Sequence, residues 1–250
     1  MPETIFPSLL EFAVTCAILI VAQLVYVLMG FGSGLITVGA LALLLPAQIQ
    51  DIVVLQLLVN LPAELLVVWK SRGEIRWKPI ARLGVGIGIG IPLGAWILKS
   101  GDPVFVLKIL GGFLVAVGLV FLRLPTGGRL QPPGWAAPPT GLVSGALTGL
   151  FGTGGPPLII WYHLSTGTKA AFRGNLMTIF LLMTVVRVPS YVWAGLVTAP
   201  RLLSTLTVMP AVLLGAWLGQ RLHIRISETA FRRAVAVLLA LIGVMLVGGR

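Results

Sequence analysis

Residues 149–160 read GLFGTGGPPLII, a stretch in which four glycines and two prolines interrupt an otherwise apolar run. Glycine and proline clusters normally mark polar, hydrated loops, but the residues around this stretch are largely apolar as well. Residues 30–38, GFGSGLITV, carry the same pattern, so that Phe31-Gly32-Ser33-Gly34 corresponds to Phe151-Gly152-Thr153-Gly154. The sequence therefore predicts two backbone breaks inside apolar segments.

The composition places these breaks in a membrane. Hydrophobic residues make up 57% of the 250 residues, charged residues 10%, and the mean hydropathy is +1.03. Several apolar stretches exceed the roughly 18 residues that a membrane-spanning helix requires. The net charge of +11 is spread over short loops, where Lys and Arg act as topology signals rather than as a nucleic-acid surface. The single cysteine, Cys16, excludes an intramolecular disulfide.

Ten apolar segments can be marked along the chain. Those at 35–46 and 156–165 are too short to cross a core of about 30 Å as helices. The stretch 122–140 is rich in Pro and Gly. We expect a single transmembrane domain, with one repeat at about 5–122, a linker at 123–137 and a second repeat at about 138–250. The ten segments are 5–29, 35–46, 51–69, 79–98, 103–122, 138–151, 156–165, 171–197, 201–220 and 227–247.

Two further pairs of short sequences relate the halves. LGAW at 93–96 recurs at 214–217, and Asn60-Leu61-Pro62 corresponds to Arg187-Val188-Pro189. Together with the two glycine stretches, the pairs occur in the same order in both halves. This order is what a duplicated sequence should show.

Loop charges favour an inverted relation between the repeats. Residues 70–82 contain five Lys or Arg, whereas the counterpart at 195–203 contains only Arg201. In the second half the basic loop is instead at 221–233. Under the positive-inside rule both basic loops face the cytoplasm and both termini lie outside. A parallel four-plus-four arrangement fits the charges less well. The predicted fold is an all-α polytopic membrane protein with two inverted repeats of about five elements, each containing a broken or short helix.

Broken helices within inverted repeats are typical of secondary transporters. Unpaired backbone groups persist in a membrane only where protein or a water-filled cavity surrounds them, and amides at a helix N-terminus can bind an anion there. Prolines 156 and 157 suit the first turn of such a helix. We expect positive φ angles at Gly34 and Gly154. The candidate substrate-binding residues are Gly32, Ser33, Gly34, Gln56, Asn60, Gly152, Thr153, Gly154, Gly155 and Arg187.

The pair GFGSGLITVGALALLLP and GLFGTGGPPLIIWYHL resembles the TauE/SafE family of sulfite exporters, and the similarity covers nearly the whole chain. The resemblance implies transport of small sulfur-containing anions, such as sulfite, thiosulfate or sulfoacetate, through a bacterial inner membrane. It implies that the two Gly-rich motifs of the family correspond to Gly32, Ser33 and Gly34 and to residues 152–155 here. Ser33 departs from the commoner glycine-dense form of the first stretch.

Two ionisable residues, Glu64 and Arg187, lie inside apolar segments, where charge is costly and function is the default interpretation. We expect Arg187 to bind the anion and Glu64 to exchange protons that couple transport to a gradient. Kinks are expected at Pro62 and Pro189. Counting 1.5 Å per residue places the two charges about 12 Å apart along the membrane normal, too far for an ion pair unless tilt or kinking closes the gap. The alternative is that both are structural charges.

The remaining patterns argue against other functions. His163 and His223 lack a second ligand at metal spacing, no Walker A sequence occurs, and we expect no cofactor and no nucleic acid. Glycines at four-residue spacing in 84–96 and 141–149 predict close helix packing rather than a dinucleotide site. A membrane enzyme would need a paired nucleophile and base, which the sequence lacks. A scaffold subunit without a cavity would not need two broken segments.

Overall fold

A computed structural model describes residues 4–45, 48–70, 72–123, 132–165, 169–221 and 228–248. Within these ranges the chain is helical, with two short 3₁₀ turns at Arg72–Glu74 and Gly134–Ala136. Most of the predicted linker at 123–137, and His223, lie outside the described residues. The helices are α1 Leu9–Met29, α2 Ser33–Leu44, α3 Ile49–Val59, α4 Leu61–Lys70, α5 Trp77–Ser100, α6 Pro103–Arg123, α7 Ala137–Phe151, α8 Gly155–Ser165, α9 Lys169–Trp193, α10 Ala199–Arg221 and α11 Glu228–Val247.

Five helices in the described part of the chain are long and apolar enough to cross a membrane: α1, α5, α6, α9 and α10. This confirms the prediction of an all-α polytopic membrane protein. Helices α2 and α8, which follow the two glycine stretches, have 12 and 11 residues. At 1.5 Å per residue neither helix exceeds about 18 Å, well short of a core of about 30 Å.

The chain forms two compact units. Unit 1 comprises Met1–Ile52, Gly101–Thr126 and Pro200–Arg250, and unit 2 comprises Val53–Ser100 and Gly127–Ala199. Unit 1 thus contains α1, α2, α6, α10 and α11, while unit 2 contains α4, α5, α7, α8, α9 and most of α3. Each unit therefore takes helices from both halves of the sequence.

Glycines bring helices into backbone contact within unit 2. A Cβ atom added to Gly86, Gly90 or Gly94 of α5 would run into the backbone of α7. The glycines of α7 meet the backbone of α5 in the same way. Such close approach lets helices gain van der Waals contact in lipid, where no hydrophobic drive between them exists. The glycines of α7 that do so are Gly141, Gly145 and Gly149. The predicted role of both sets of glycines in close helix packing is confirmed.

Glycines also bring helices into close contact within unit 1. Gly111 and Gly243 bring α6 against α11, and Gly215 and Gly219 bring α10 against α1. Gly94 and Gly215 are the glycines of the two LGAW sequences. Each packs against the helix that precedes the glycine stretch of the other half of the sequence, α7 for Gly94 and α1 for Gly215. Equivalent helices thus make equivalent contacts in the two units.

The third predicted segment is two helices. Helix α3 ends at Val59, Asn60 forms a turn, and α4 begins at Leu61. Pro62 supplies the reason, because its ring clashes with the preceding turn and it has no N–H group to donate. The break places Glu64 in the first turn of α4, where its N–H donates to the Asn60 carbonyl at 3.0 Å. Helix α9, by contrast, runs on through Pro189.

Asn175 of α9 anchors the segment that connects α4 and α5. Its side-chain amide donates to the carbonyls of Glu74 and Ala171 at 2.9 and 2.7 Å, and its oxygen accepts from the Arg76 N–H at 2.7 Å. The side chain is fully buried. One asparagine therefore fixes the basic connection to the start of α9.

Candidate functional site

Both glycine stretches are helix breaks, as predicted. Helix α7 ends at Phe151, Gly152 closes it with a left-handed φ of 69°, and α8 begins three residues later. In the first half, α1 ends at Met29, Gly30 and Gly32 have φ of 82° and 99°, and α2 begins at Ser33. Left-handed backbone is cheap only for glycine. The turn at each break therefore requires the glycine that occupies it.

The expected positive φ at Gly34 and Gly154 is wrong. Gly34 lies inside α2, and Gly154 has no left-handed conformation. Gly154 is instead confined by α7, because an added Cβ would strike the Ser144 carbonyl and the Thr148 hydroxyl. The Ser144 hydroxyl donates to the Gly154 carbonyl. Side-chain size at this position is thus limited by helix packing.

The first turns of α2 and α8 differ in the amides that they offer. Four N–H groups at a helix start have no partner within the helix. In α8, Pro156 and Pro157 remove two of them and leave those of Gly154 and Gly155. In α2 all four positions keep their N–H, and Gly32 provides no side-chain cap. The second break has fewer backbone donors than the sequence analysis assumed, so its side chains carry more of the site.

Arg187 lies at the second break. Its side chain is buried, Nη2 donates to the Val53 carbonyl at 3.1 Å, and Nη1 donates to the Gly152 carbonyl at 3.5 Å. The guanidinium also stacks over the Tyr191 ring, 5.1 Å from its centroid. Nε has no hydrogen-bond partner among the described residues. A guanidinium has five N–H donors, so this buried cation retains unused hydrogen-bonding capacity.

Gln56 and Thr153 border the same position. Gln56 lies three residues after Val53 on α3, and Thr153 directly follows Gly152. Both are buried, and neither the Gln56 amide atoms nor the Thr153 hydroxyl has a hydrogen-bond partner in the described part of the chain. Each buried polar group left unpaired costs about 1–3 kcal/mol. Unmatched donors around a buried cation are the environment that an oxyanion would satisfy.

The Glu64 side chain contacts α9 at Thr184, one helical turn before Arg187. It is 3% exposed, and the Thr184 hydroxyl donates to its Oε2 at 3.2 Å. Thr184 and Arg187 are both on α9, so this hydrogen bond brings the Glu64 carboxylate to the helix that carries Arg187. Because Thr184 and Arg187 are about 4.5 Å apart along the helix axis, the expected separation of about 12 Å is wrong. The count treated 51–69 as one straight helix, and the break at Asn60 invalidates it.

Two residues that the sequence analysis missed support the site. Tyr191 is fully buried, and its hydroxyl donates to the Gly149 carbonyl at 2.8 Å in the last turn of α7. It follows Arg187 by four residues, the spacing at which helix side chains meet, and this spacing was the available signal. Thr184, which holds Glu64, precedes Arg187 by three residues and shows the same signal.

Unit 2 thus brings together Gly152, Thr153, Arg187, Gln56 and Glu64. Gly154 and Gly155 belong to the same break. Asn60 is half-buried at the junction of α3 and α4. Gly32, Ser33 and Gly34 belong to unit 1, where Ser33 is buried and Thr37, one turn further along α2, is buried with no partner for its hydroxyl among the described residues.

Comparison of the sequence with known proteins identifies the family. The family model described as Sulfite exporter TauE/SafE matches residues 15–246. This chain belongs to the sulfite exporter TauE/SafE family. It is therefore a membrane transporter and not an enzyme. No solved structure matches it.

Two curated proteins are similar over most of their length. A probable inner membrane transporter protein TsaS of Comamonas testosteroni is 27% identical over 193 residues, which cover 77% of this chain and 81% of that protein. A probable sulfite/organosulfonate exporter TauE of Cupriavidus necator is 26% identical over 220 residues, which cover 87% of this chain and 86% of that protein.

Proposed function

We propose that this transporter exports small sulfur-containing anions, such as sulfite, thiosulfate or organosulfonates, across a bacterial inner membrane. The names of the two relatives, one an inner membrane transporter and the other a sulfite/organosulfonate exporter, support the substrate class and the location. The chemistry at the second break supports the anion independently of those names.

The observation that carries the proposal is the incomplete hydrogen bonding of Arg187. Its contact to the Val53 carbonyl, at 3.1 Å, is an ordinary hydrogen bond, its contact to the Gly152 carbonyl, at 3.5 Å, is longer than the usual range, and Nε has no partner among the described residues. A buried cation is costly because it has lost its hydration, and an anion that enters this position offsets part of that cost together with the Glu64 carboxylate. The planar fork of the guanidinium fits two oxygens of a sulfite or sulfonate group.

The neighbouring donors extend this recognition. The Thr153 hydroxyl and the Gln56 amide can donate to further oxygens, and the Gly154 and Gly155 amides at the start of α8 add the positive end of a helix dipole. Asn60 belongs to the same proposed site, and Gly32, Ser33 and Gly34 at the first break are proposed to bind substrate within unit 1. The helix breaks let backbone groups face the anion without a second cationic side chain.

Proton coupling is assigned to Glu64. A buried carboxylate beside the path can change its protonation as the path opens to either side. We place residues 70–82 and 221–233 in the cytoplasm and both termini outside, as the loop charges require. The equivalent packing of Gly94 against α7 and of Gly215 against α1 supports inverted repeats as the frame for alternating access.

Purified protein in liposomes provides the test. Flux is measured for sulfite, sulfate, thiosulfate, sulfoacetate and taurine, with and without a proton gradient, against liposomes that contain the Arg187→Met variant. We expect at least one sulfur oxyanion to move in a protein-dependent, gradient-sensitive manner. Folded protein that neither binds nor moves any of them would refute the proposed function.

A further inference from the structure

Among the described residues of unit 2, two opposite charges lie at the second break. Arg187 and Glu64 are both buried, and the Thr184 hydroxyl, one turn before Arg187 on α9, donates to the Glu64 carboxylate at 3.2 Å. Asp51, at the start of α3, is paired with Arg201 at 2.7 Å. Elsewhere in unit 2 the described ionisable side chains occur near helix ends: Arg72, Glu74, Arg76, Lys78 and Arg82 around the start of α5, Lys99 at its end and Arg173 at the start of α9. With Glu64 ionised, the site itself has no net charge.

From this charge pairing we infer that the site selects among sulfur oxyanions by their charge, and favours singly charged over doubly charged ones. The inference rests on the proposed function, since it assumes that an anion binds at Arg187. It narrows the substrate class to hydrogensulfite and simple sulfonates, relative to thiosulfate or other dianions of similar size.

The physical reason is the small number of compensating charges. A monoanion brings one negative charge to one guanidinium, and the hydroxyl and amide donors satisfy its remaining oxygens. A dianion loses more hydration on entry and finds no second cation at this break among the described side chains of unit 2, while the Glu64 carboxylate repels both of its charges. Neutral donors such as Thr153 and Gln56 do not replace a missing positive charge in a buried site.

Glu64 is therefore a specificity-determining residue as well as the proposed proton site. Replacing it by a neutral residue leaves Arg187 as an unopposed cation. The affinity for any anion should then rise, and it should rise more for a dianion, because the repulsion removed is proportional to the anion's charge. The ratio of the two affinities thus reports on this residue in a way that a purely structural role would not.

Binding of methanesulfonate and thiosulfate to purified protein at mildly alkaline pH tests the inference. Both are small sulfur oxyanions, but the first carries one charge and the second two. We expect the unmodified protein to bind methanesulfonate at least about tenfold more tightly, and Glu64→Gln to reduce that preference by about tenfold. Glu64→Ala is a second neutral variant. Glu74→Gln, which makes the same change on the exposed 3₁₀ turn, should leave the preference unaltered.

Each outcome is decisive. Equal or tighter binding of thiosulfate by the unmodified protein overturns the inference even if the Glu64 variants fail to fold. An unchanged preference in folded Glu64→Gln also overturns it, and either result leaves the proposed anion site intact. Binding of neither anion to folded, unmodified protein would instead remove the proposed function on which the inference depends.

Discussion

Arg187→Lys is the substitution that tests the site most directly. Lysine preserves the positive charge but replaces a planar fork of five donors by three donors on one nitrogen. It can keep a contact to either the Val53 or the Gly152 carbonyl, while the two-oxygen geometry toward an anion is lost. We therefore expect a loss of anion affinity without a loss of folding.

The magnitude follows from the contacts. One hydrogen bond to a charged group contributes about 1.5–3 kcal/mol, so losing one weakens anion binding by about 10- to 100-fold. Arg187→Met removes the charge as well and should abolish binding. Arg187→Met should also lower the free energy of unfolding, because it removes one member of a buried pair of opposite charges and leaves the Glu64 carboxylate uncompensated.

Affinity is measured by titration of the purified variants, and stability by thermal unfolding without anion. Arg173→Lys is the matched control, since it makes the same change on the same helix about 21 Å away. If Arg187 serves only to hold the Gly152 carbonyl at the end of α7 and the Val53 carbonyl of α3, the result reverses. Arg187→Lys would then unfold at lower temperature, and the anion affinity of its folded fraction, like that of folded Arg187→Met, would stay at the unmodified value.

Three further outcomes are expected. Gly152→Val should abolish transport, because it forces a branched residue into a φ of 69° and places Cβ 3.0 Å from Arg187 Nη1; flux and an intact monodisperse protein would be measured together. Gly90→Ala should lower the melting temperature by several degrees, because its Cβ would strike the α7 backbone, whereas Gly88→Ala, which has open space, should not lower it. Cysteines introduced at 74 and 228 should resist an impermeant thiol reagent in intact cells, and labelling at either position from outside would contradict the proposed orientation.

The two breaks at the glycine stretches were readable from the sequence, because glycine clusters favour turns locally. The break at Asn60 was not predicted. A kink was expected at Pro62, and a proline alone does not decide whether a helix ends, since α9 runs on through Pro189. Which glycine takes the left-handed conformation was not readable. The turn geometry assigns this to Gly152, while Gly154 is confined by Ser144, which is ten residues away in sequence and in direct contact in space.

Some residues of the candidate site could be predicted from the sequence and others could not. Arg187 and Glu64 could be named because charge in an apolar segment is expensive enough to be informative by itself. Tyr191 was missed: its four-residue spacing from Arg187 is a weak signal, and its contacts with Arg187 and the Gly149 carbonyl are what establish its role. Asn175 is a similar case, because its three partners in the α4–α5 connection and in α9 are set by the tertiary arrangement.

The assembly of unit 1 from distant parts of the chain has a consequence for biosynthesis. Helix α1 leaves the ribosome about 170 residues before α10, the helix whose glycines fit against it. During that interval the α1 surface around Ile20 and Val27 contacts lipid or the insertion machinery in place of its final partner. A nascent chain stopped before α10 cannot complete unit 1, whereas two separately expressed fragments divided between α6 and α7 retain every helix that both units need. Unit 1 therefore cannot be complete until α10 and α11 have been made, whereas unit 2 ends at Ala199.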